Sequence, residues 1–326
     1  MTDVEPTIER AEIDTVEPAR LAEVRRLVRA TVPAVVETFD RRGFQLLHWP
    51  VVRTNPAGKP IELSLEHEAR LRPSGAASIL ELQRHLDRRR ERALFDGEGP
   101  GDRLIVRRVE RPPGAQSVDR YWDVDGRLSG GFTKRAASFR QRTRTSKFMT
   151  WSNGGAETDF APFNLELPLV ALGGTGVVAR LEFNWIDAVE AATTEFDAIL
   201  AGDADPPGNP LALALRSLPA GLGGALRPAL EHTTFREKFA LLSPSAPDAP
   251  EYERFHLNID HMVVQSLRTG HVAHHCDVDV AAGVPVDAGV LAELEAIAAG
   301  LRARFGFVSA NAPKVWWGAT VLGELD

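Results

Sequence analysis

Hydrophobic and polar residues alternate with a period of two along much of this chain, and follow a helical period in a few stretches. The clearest alternation runs from Lys59 to Arg72, KPIELSLEHEARLR. Ile61, Leu63, Leu65, Ala69 and Leu71 fall on one side, interrupted by His67. Glu62, Ser64, Glu66, Glu68, Arg70 and Arg72 fall on the other. Side chains along a strand point to opposite faces, so this stretch predicts a strand with an apolar and a charged face. Glu66 and Glu68 then lie roughly 7 Å apart, near enough to share a hard cation. A charged face turned to water is the competing reading.

Further stretches divide in the same way. Phe235, Phe239 and Leu241 oppose Arg236 and Lys238. Val177, Ala179, Leu181, Phe183 and Trp185 oppose Arg180, Glu182 and Asn184. Phe255, Leu257, Ile259 and Val263 oppose Arg254, His256, Asn258 and Asp260. Val272, Cys276, Val278 and Val280 oppose His275, Asp277 and Asp279. Strands are also expected over Gly43–Val52, Arg103–Glu110, Gln116–Val124, Ala137–Ser152 and Pro162–Val170. Arg140, Arg142 and Arg144 share a face of the fourth of these. Helical spacing predicts helices over Thr15–Phe39, Ala76–Phe95, Ile186–Leu200, within Leu211–Leu230, and over Val286–Phe305. The turn Gly173–Gly176 lacks the lysine and spacing of a phosphate loop and reads as hairpin turn chemistry.

Two architectures satisfy this pattern. An antiparallel sheet packed on helices can leave its polar face in water. Alternatively, the sheet closes with the charges inside and the helices cover its apolar outside. Lysine is the usual guard of an exposed sheet, yet arginine dominates these faces. Arginine's planar fork suits phosphate, which favours the closed, charged interior.

Composition narrows the classes of function. The chain has 326 residues, long enough for one large domain or two ordinary ones. Its charge of -7 gives no reason to expect a nucleic-acid partner. The single cysteine, Cys276, rules out an intrachain disulfide and fits a reducing cytoplasm. Cys276 falls on the apolar side of its strand and is expected in the core. The polar, acidic N-terminus has no signal-peptide character, and no run of about 18 apolar residues suggests a membrane span. His271, His274 and His275 invite a zinc reading, but His274 and His275 face opposite ways and only His275 shares the face of Asp277 and Asp279, which disfavours it.

At this point the ordered motifs resemble the CYTH superfamily, the triphosphate tunnel metalloenzymes. Glu66-x-Glu68-x-Arg70 resembles its ExExK signature, with arginine in place of lysine. Asp119-Arg120-Tyr121-Trp122-Asp123 is similar to its aromatic-plus-aspartate strand, and Phe139-Arg140-Gln141-Arg142 to its paired-arginine strand. Phe235-Arg236-Glu237-Lys238 and Leu257-Asn258-Ile259-Asp260 resemble its later basic and aspartate strands. Asp277-Val278-Asp279 stands where the family has an acidic pair, and Pro313-Lys314 resembles its closing motif. The resemblance spans about residues 58 to 318. It divides the chain into an N-terminal extension, 1–57, with a long helix, and a tunnel domain, 58–326.

The resemblance implies an α+β fold built on an eight-stranded antiparallel β-barrel, a tunnel with charged interior flanked by helices. It implies Mg²⁺ or Mn²⁺ as cofactor, which prefer oxygen ligands, held by Glu66, Glu68, Asp277 and Asp279. Arg70, Arg107, Arg140, Arg142, Arg236, Lys238 and Lys314 would contact phosphate. Glu66, Glu68, Arg70 and Lys238 are the expected catalytic residues, and Asp260 is either a metal ligand or a partner to an arginine. The expected function is a metal-dependent phosphohydrolase or pyrophosphate-releasing lyase acting on a small phosphorylated substrate. A tunnel that binds such a ligand without turnover is the alternative. On the strand that in the family carries an arginine and two spaced glutamates stand Asn164, Glu166 and Pro168; the departures at Asn164, Pro168 and Ser152 favour a substrate other than a simple triphosphate.

Overall fold

The computed structural model describes residues 51–54, 60–111, 116–128, 138–145, 160–172, 177–187, 226–245, 253–283, 287–310 and 312–325. The N-terminal helix, the 57/58 boundary, the helices expected over 188–225 and Ser152 lie outside the described residues.

The strands are β1 (Val51–Thr54), β2 (Pro60–Pro73), β3 (Ile105–Val109), β4 (Ser117–Val124), β5 (Ser138–Thr145) and β6 (Phe160–Leu172). They continue with β7 (Val177–Asp187), β8 (Leu226–Leu242), β9 (Glu253–Ser266), β10 (Val272–Ala282) and β11 (Phe307–Ser309). The helices are α1 (Ala76–Arg88), α2 (Ala288–Phe305) and α3 (Lys314–Val321). One sheet follows the path β1-β2-β10-β9-β8-β4-β5-β6-β7, and β7 also pairs with β2. β2 is antiparallel to β10 through Glu68–Leu71 and to β7 through Ile61–Ala69. These pairings establish an antiparallel α+β sheet. The enclosed tunnel is the finer expectation and belongs to the proposed function.

Register decides which side chains meet. Asp277 lies opposite Asp260, and Arg236 opposite Asp260 from the other side. Asp279 lies opposite Asn258 and Arg70. Partners directly across a ladder share a face, so the charged faces read from separate strands become one face. The other face is apolar: Ala69, Leu71, Phe239, Leu241, Leu257, Ile259, Val278 and Val280 are buried. Helix α2 packs on β2, β10 and α1 and buries Leu294, Ile297 and Leu301. Its start is fixed by Asp287, whose Oδ1 accepts the Val290 N–H at 2.8 Å, and its end by left-handed Gly306. Helix α1 lies over the same face, because Gln83 bonds Glu237 and His261, which stand on it.

Three expectations need correction. The helix expected to reach Phe95 ends at Arg88. There the chain turns back through Glu91 (φ 56°), and the Glu91, Leu94 and Val106 amides bond to Val106, Leu104 and Arg92 carbonyls. Those strand-like bonds replace the helical ones. Residues 226–230, expected to be helical, begin β8, because β4 pairs with them. The chain's end, expected without a helix, forms α3. Unlike α1 and α2, this helix packs on the charged-face side. Val315, Ala319 and Leu322 join a core with Tyr121, Leu230, Met262 and Val264. Met262 and Val264 alternate in phase with Asn258 and Asp260.

Candidate functional site

Three neighbouring strands and one helix build the candidate site. β9 supplies Asn258 and Asp260, β10 supplies Asp277 and Asp279, β8 supplies Arg236, and α3 supplies Lys314 as its first residue. Asp260, Asp277 and Asp279 are buried, and each offers a carboxylate oxygen within 4.8 Å of the others. Among the described residues this is the group whose donors could share a metal ion.

The acids are answered by fixed cations. Arg236 grips Asp260 with both fork nitrogens, Nε at 2.7 Å and Nη2 at 2.6 Å, and approaches Asp279 at 3.5 Å. The Lys314 ammonium bonds Asp260, donates to Asp279 at 2.8 Å and stands 3.7 Å from Asp277. Asn258 donates to Asp279 Oδ1 at 2.6 Å. Burial alone would push these carboxyl pKa values up. For Asp260, Arg236 and Lys314 outweigh that and hold it well below the carboxylate range. Lys314 and Arg236 do the same for Asp279. Asp277 goes the other way. Burial, helped by Asp260 and Asp279, pushes its carboxyl up to about 7 against the pull of Lys314. Lys314 loses hydration by burial, yet the three aspartates hold its pKa above the ordinary lysine value.

Several buried atoms here have no hydrogen-bond partner: Asp277 Oδ1, Asn258 Oδ1, Arg70 Nη1 and His275 Nε2. Buried polar atoms are nearly always partnered. Acceptors and a cationic donor are left open in one region, which suits a ligand carrying both positive and negative charge. The carboxylates fit a hard cation in part. Asp277 offers an open oxygen, whereas Asp260 and Asp279 are already engaged.

The expected site residues fall into groups. Arg236, Lys314, Asp277 and Asp279 meet in the cluster. Glu68 and Arg70 lie beside it on β2. Arg70 contacts Glu68 at 2.8 Å and Glu166 of β6 at 3.1 Å, and its pKa is held up by Glu166, Glu68, Asp277 and Asp279 against burial. Lys238 lies two residues from Arg236 but pairs with Glu253 at 3.1 Å. Arg140 pairs with Asp119 at 3.5 Å. Glu66 and Arg142 hold register positions opposite Arg180 and Asp119; their side chains lie outside the described residues. Arg107 is a correction: it stands on β3, off the main path, and forks onto exposed Glu91 at 2.9–3.3 Å.

Asp260, undecided between metal and arginine, turns out to stand in both settings. The signal for it lay in the β9–β10 hairpin. A short turn over 267–271, with Gly270 at φ 75°, fixes the register that sets Asp260 across from Asp277. Asn258 and Glu166 were missed as participants, because neither residue type signals a site without its neighbours. His275 lies on the charged face as expected, its ring 5.6 Å from His232. Cys276 lies on the apolar face, half-buried, with Sγ 3.3 Å from His261 Nδ1.

Among the described residues no helix is long and apolar enough to cross a membrane. No protein-family model and no curated protein matches this chain. Among solved structures it is similar to the S. pombe Pct1 RNA triphosphatase, at 11% identity over 91% of each chain, with a TM-score of 0.26. A likeness of that size carries no argument, so function is argued from this chain's own residues.

Proposed function

We propose that this protein is a Mg²⁺- or Mn²⁺-dependent phosphohydrolase or pyrophosphate-releasing enzyme for a small phosphorylated substrate. In this reading β2, β10, β9, β8, β4, β5, β6 and β7 enclose a charged tunnel. The observation that carries it is the set of open buried atoms: acceptors on Asp277 and Asn258 beside a donor on Arg70. Asp277 and Asp279, with Asp260 and with Glu68 from β2, would hold the cation. When bound, that ion would supply Lewis-acid chemistry, drawing charge from the phosphoryl group and making water more acidic. Arg70, Arg236 and Lys314 would spread positive charge over the phosphoryl oxygens, where transition-state charge develops. In hydrolysis a water oxygen would form the new P–O bond as the bond from that phosphorus to the bridging oxygen breaks, the water's proton passing to solvent; in pyrophosphate release an atom of the substrate would take the water's place. A cytoplasmic setting is part of the proposal, in line with the single cysteine.

The test is a panel of phosphorylated compounds with Mg²⁺ and Mn²⁺, read by phosphate and pyrophosphate release. Asp277→Asn should abolish release while thermal unfolding stays cooperative. Full activity in EDTA would overturn the reading.

A second reading is a tunnel that binds its phosphorylated ligand without turnover. It is favoured by Arg236 and Lys314, which already occupy Asp260 and Asp279. Ligand-induced stabilisation with no product under either metal would support it, and turnover would reject it.

A further inference from the structure

The position of Lys314 is odd for a phosphate-gripping lysine. Its ammonium touches three carboxylates and occupies the place that a shared cation would take. It is delivered there by a helix clamped in the core through Val315, Ala319 and Leu322. The side chain is 14% exposed, so water does little to loosen its ion pairs.

Charge balance gives this arrangement a second state. Three carboxylates face two fixed positive charges, Lys314 and Arg236. Arg70 is answered by Glu68 and Glu166 and adds nothing free. With all three carboxylates ionised, as a shared cation requires, one negative charge is left over in a buried place, where unbalanced charge is costly. A divalent ion in place of the ammonium would balance the group. Asp277 Oδ1 and Asn258 Oδ1 are buried acceptors without a hydrogen-bond partner, and the Lys314 ammonium stops 3.7 Å short of the first.

We propose that the Lys314 ammonium is a built-in rival of the divalent cation at Asp260, Asp277 and Asp279, so that the ion enters only as the ammonium withdraws. This rests on the cation site of the proposed function and adds its regulation. Without the metal the lysine keeps the carboxylates in place. With it, the freed ammonium becomes available to the phosphate. Metal and phosphate would then bind cooperatively, because each favours the displaced lysine.

Two measurements test it. First, Mn²⁺ binding is followed by calorimetry on the whole chain and on Lys314→Met. The variant should bind about tenfold more tightly or better, and its lowered melting temperature should recover with Mn²⁺. Second, amine labelling with mass spectrometry is run on the unaltered chain, which has five lysines. Lys314 should be protected without metal and become labelled as Mn²⁺ saturates. This arm does not depend on how the variant folds. Equal Mn²⁺ affinity in both proteins, or Lys314 still protected at saturation, would overturn the rivalry and leave the cation site standing. No Mn²⁺ binding by either protein would overturn both.

Discussion

Asp260 is held at both oxygens, by the fork of Arg236 and by Lys314. Removing it takes from the Arg236 fork its bidentate partner, leaving Asp279 at 3.5 Å, and from Lys314 one of its two hydrogen-bonded carboxylates. Breaking a buried pair at one partner costs about 3–5 kcal/mol, because the other charge stays desolvated. Asp260→Ala should therefore lose about that much stability in urea denaturation. A loss under about 1 kcal/mol would mean that the pair behaves like a surface salt bridge. The buried histidines give a second prediction. Burial pushes His67 and His275 down to about 4 and holds His232 well below its ordinary value. Unfolded, each titrates near pH 6.5. Between about pH 6.5 and 4 the unfolded chain takes up protons that the folded chain refuses, so stability falls as pH drops. The slope is about 1.4 kcal/mol per pH unit for each histidine. Asp277 runs the other way in that window. Its carboxyl is protonated in the fold and ionised in the unfolded chain, so acid favours folding there. Burial lowers His85 as well and raises Glu253 alongside Asp277, so four histidines against two carboxyls leave a net decline. Denaturation across that range should show it, and His67→Leu should remove one histidine's share. A stability flat from pH 6.5 to 4 would refute it.

Helix α3 joins two functions in eight residues: it seals apolar surface and presents Lys314. Gly318 lets it come close. A Cβ there would fall well inside contact distance of His232 Nε2 and 3.0 Å from Val264 Cγ1. His232 is buried with its ring 4.9 Å from Tyr121, so it has little room to yield. Two effects oppose each other in Gly318→Ala. Helix propensity favours alanine by about 1 kcal/mol, whereas overpacking costs about 1–3 kcal/mol. The clash is with a fixed ring, so a net loss of stability is expected by thermal or urea unfolding. A gain would show that α3 sits more loosely on His232. This helix also marks where the sequence stopped being legible. The strands announced themselves, because each alternates over many residues: the expected 59–72 became Pro60–Pro73, and the expected start at Val177 was met. Helix α3 is short, carries two adjacent tryptophans and faces a polar surface at one end. It offers no apolar stripe to read. Residues 226–230 read as helical because Leu226, Ala229 and Leu230 fit that spacing as well as a strand, and only β4 decides between them.

The charged face as a whole has two halves. One half is apolar and closed by α3 on Tyr121, Leu230, Met262 and Val264. The other holds Glu68, Arg70, Asp260, Asp277 and Asp279, all buried. The residue types of this second half were legible strand by strand, and so was their shared face. Their partners were not, because pairing between strands far apart in sequence sets register, and no single strand records it. Arg107 shows the limit: its strand, with Ile105-Val106 and Arg107-Arg108 as like neighbours, gives no clear face, and β3 lies off the path and hands it to Glu91.

An anion reaching this half must overcome the chain's charge of -7. Attraction has to come from local cations, and two sets compete. Surface arginines such as Arg90 and Arg103 are exposed, and salt at 0.15 M screens them beyond about 8 Å. Arg70 is buried, and Arg236 and Lys314 are half-buried, with side chains 26% and 14% exposed, so all three are screened less. Tripolyphosphate with Mg²⁺ should therefore stabilise the chain in denaturation, by about 2.7 kcal/mol at a hundredfold excess over its Kd. That gain should persist when salt is raised at a fixed excess over Kd. Tripolyphosphate alone should stabilise much less, because Lys314 and Arg236 remain bound to the aspartates until a cation replaces their charge. Equal stabilisation without Mg²⁺ would remove the cation from the site. A gain that vanishes with salt would move the anion from the buried half of the sheet to the surface arginines.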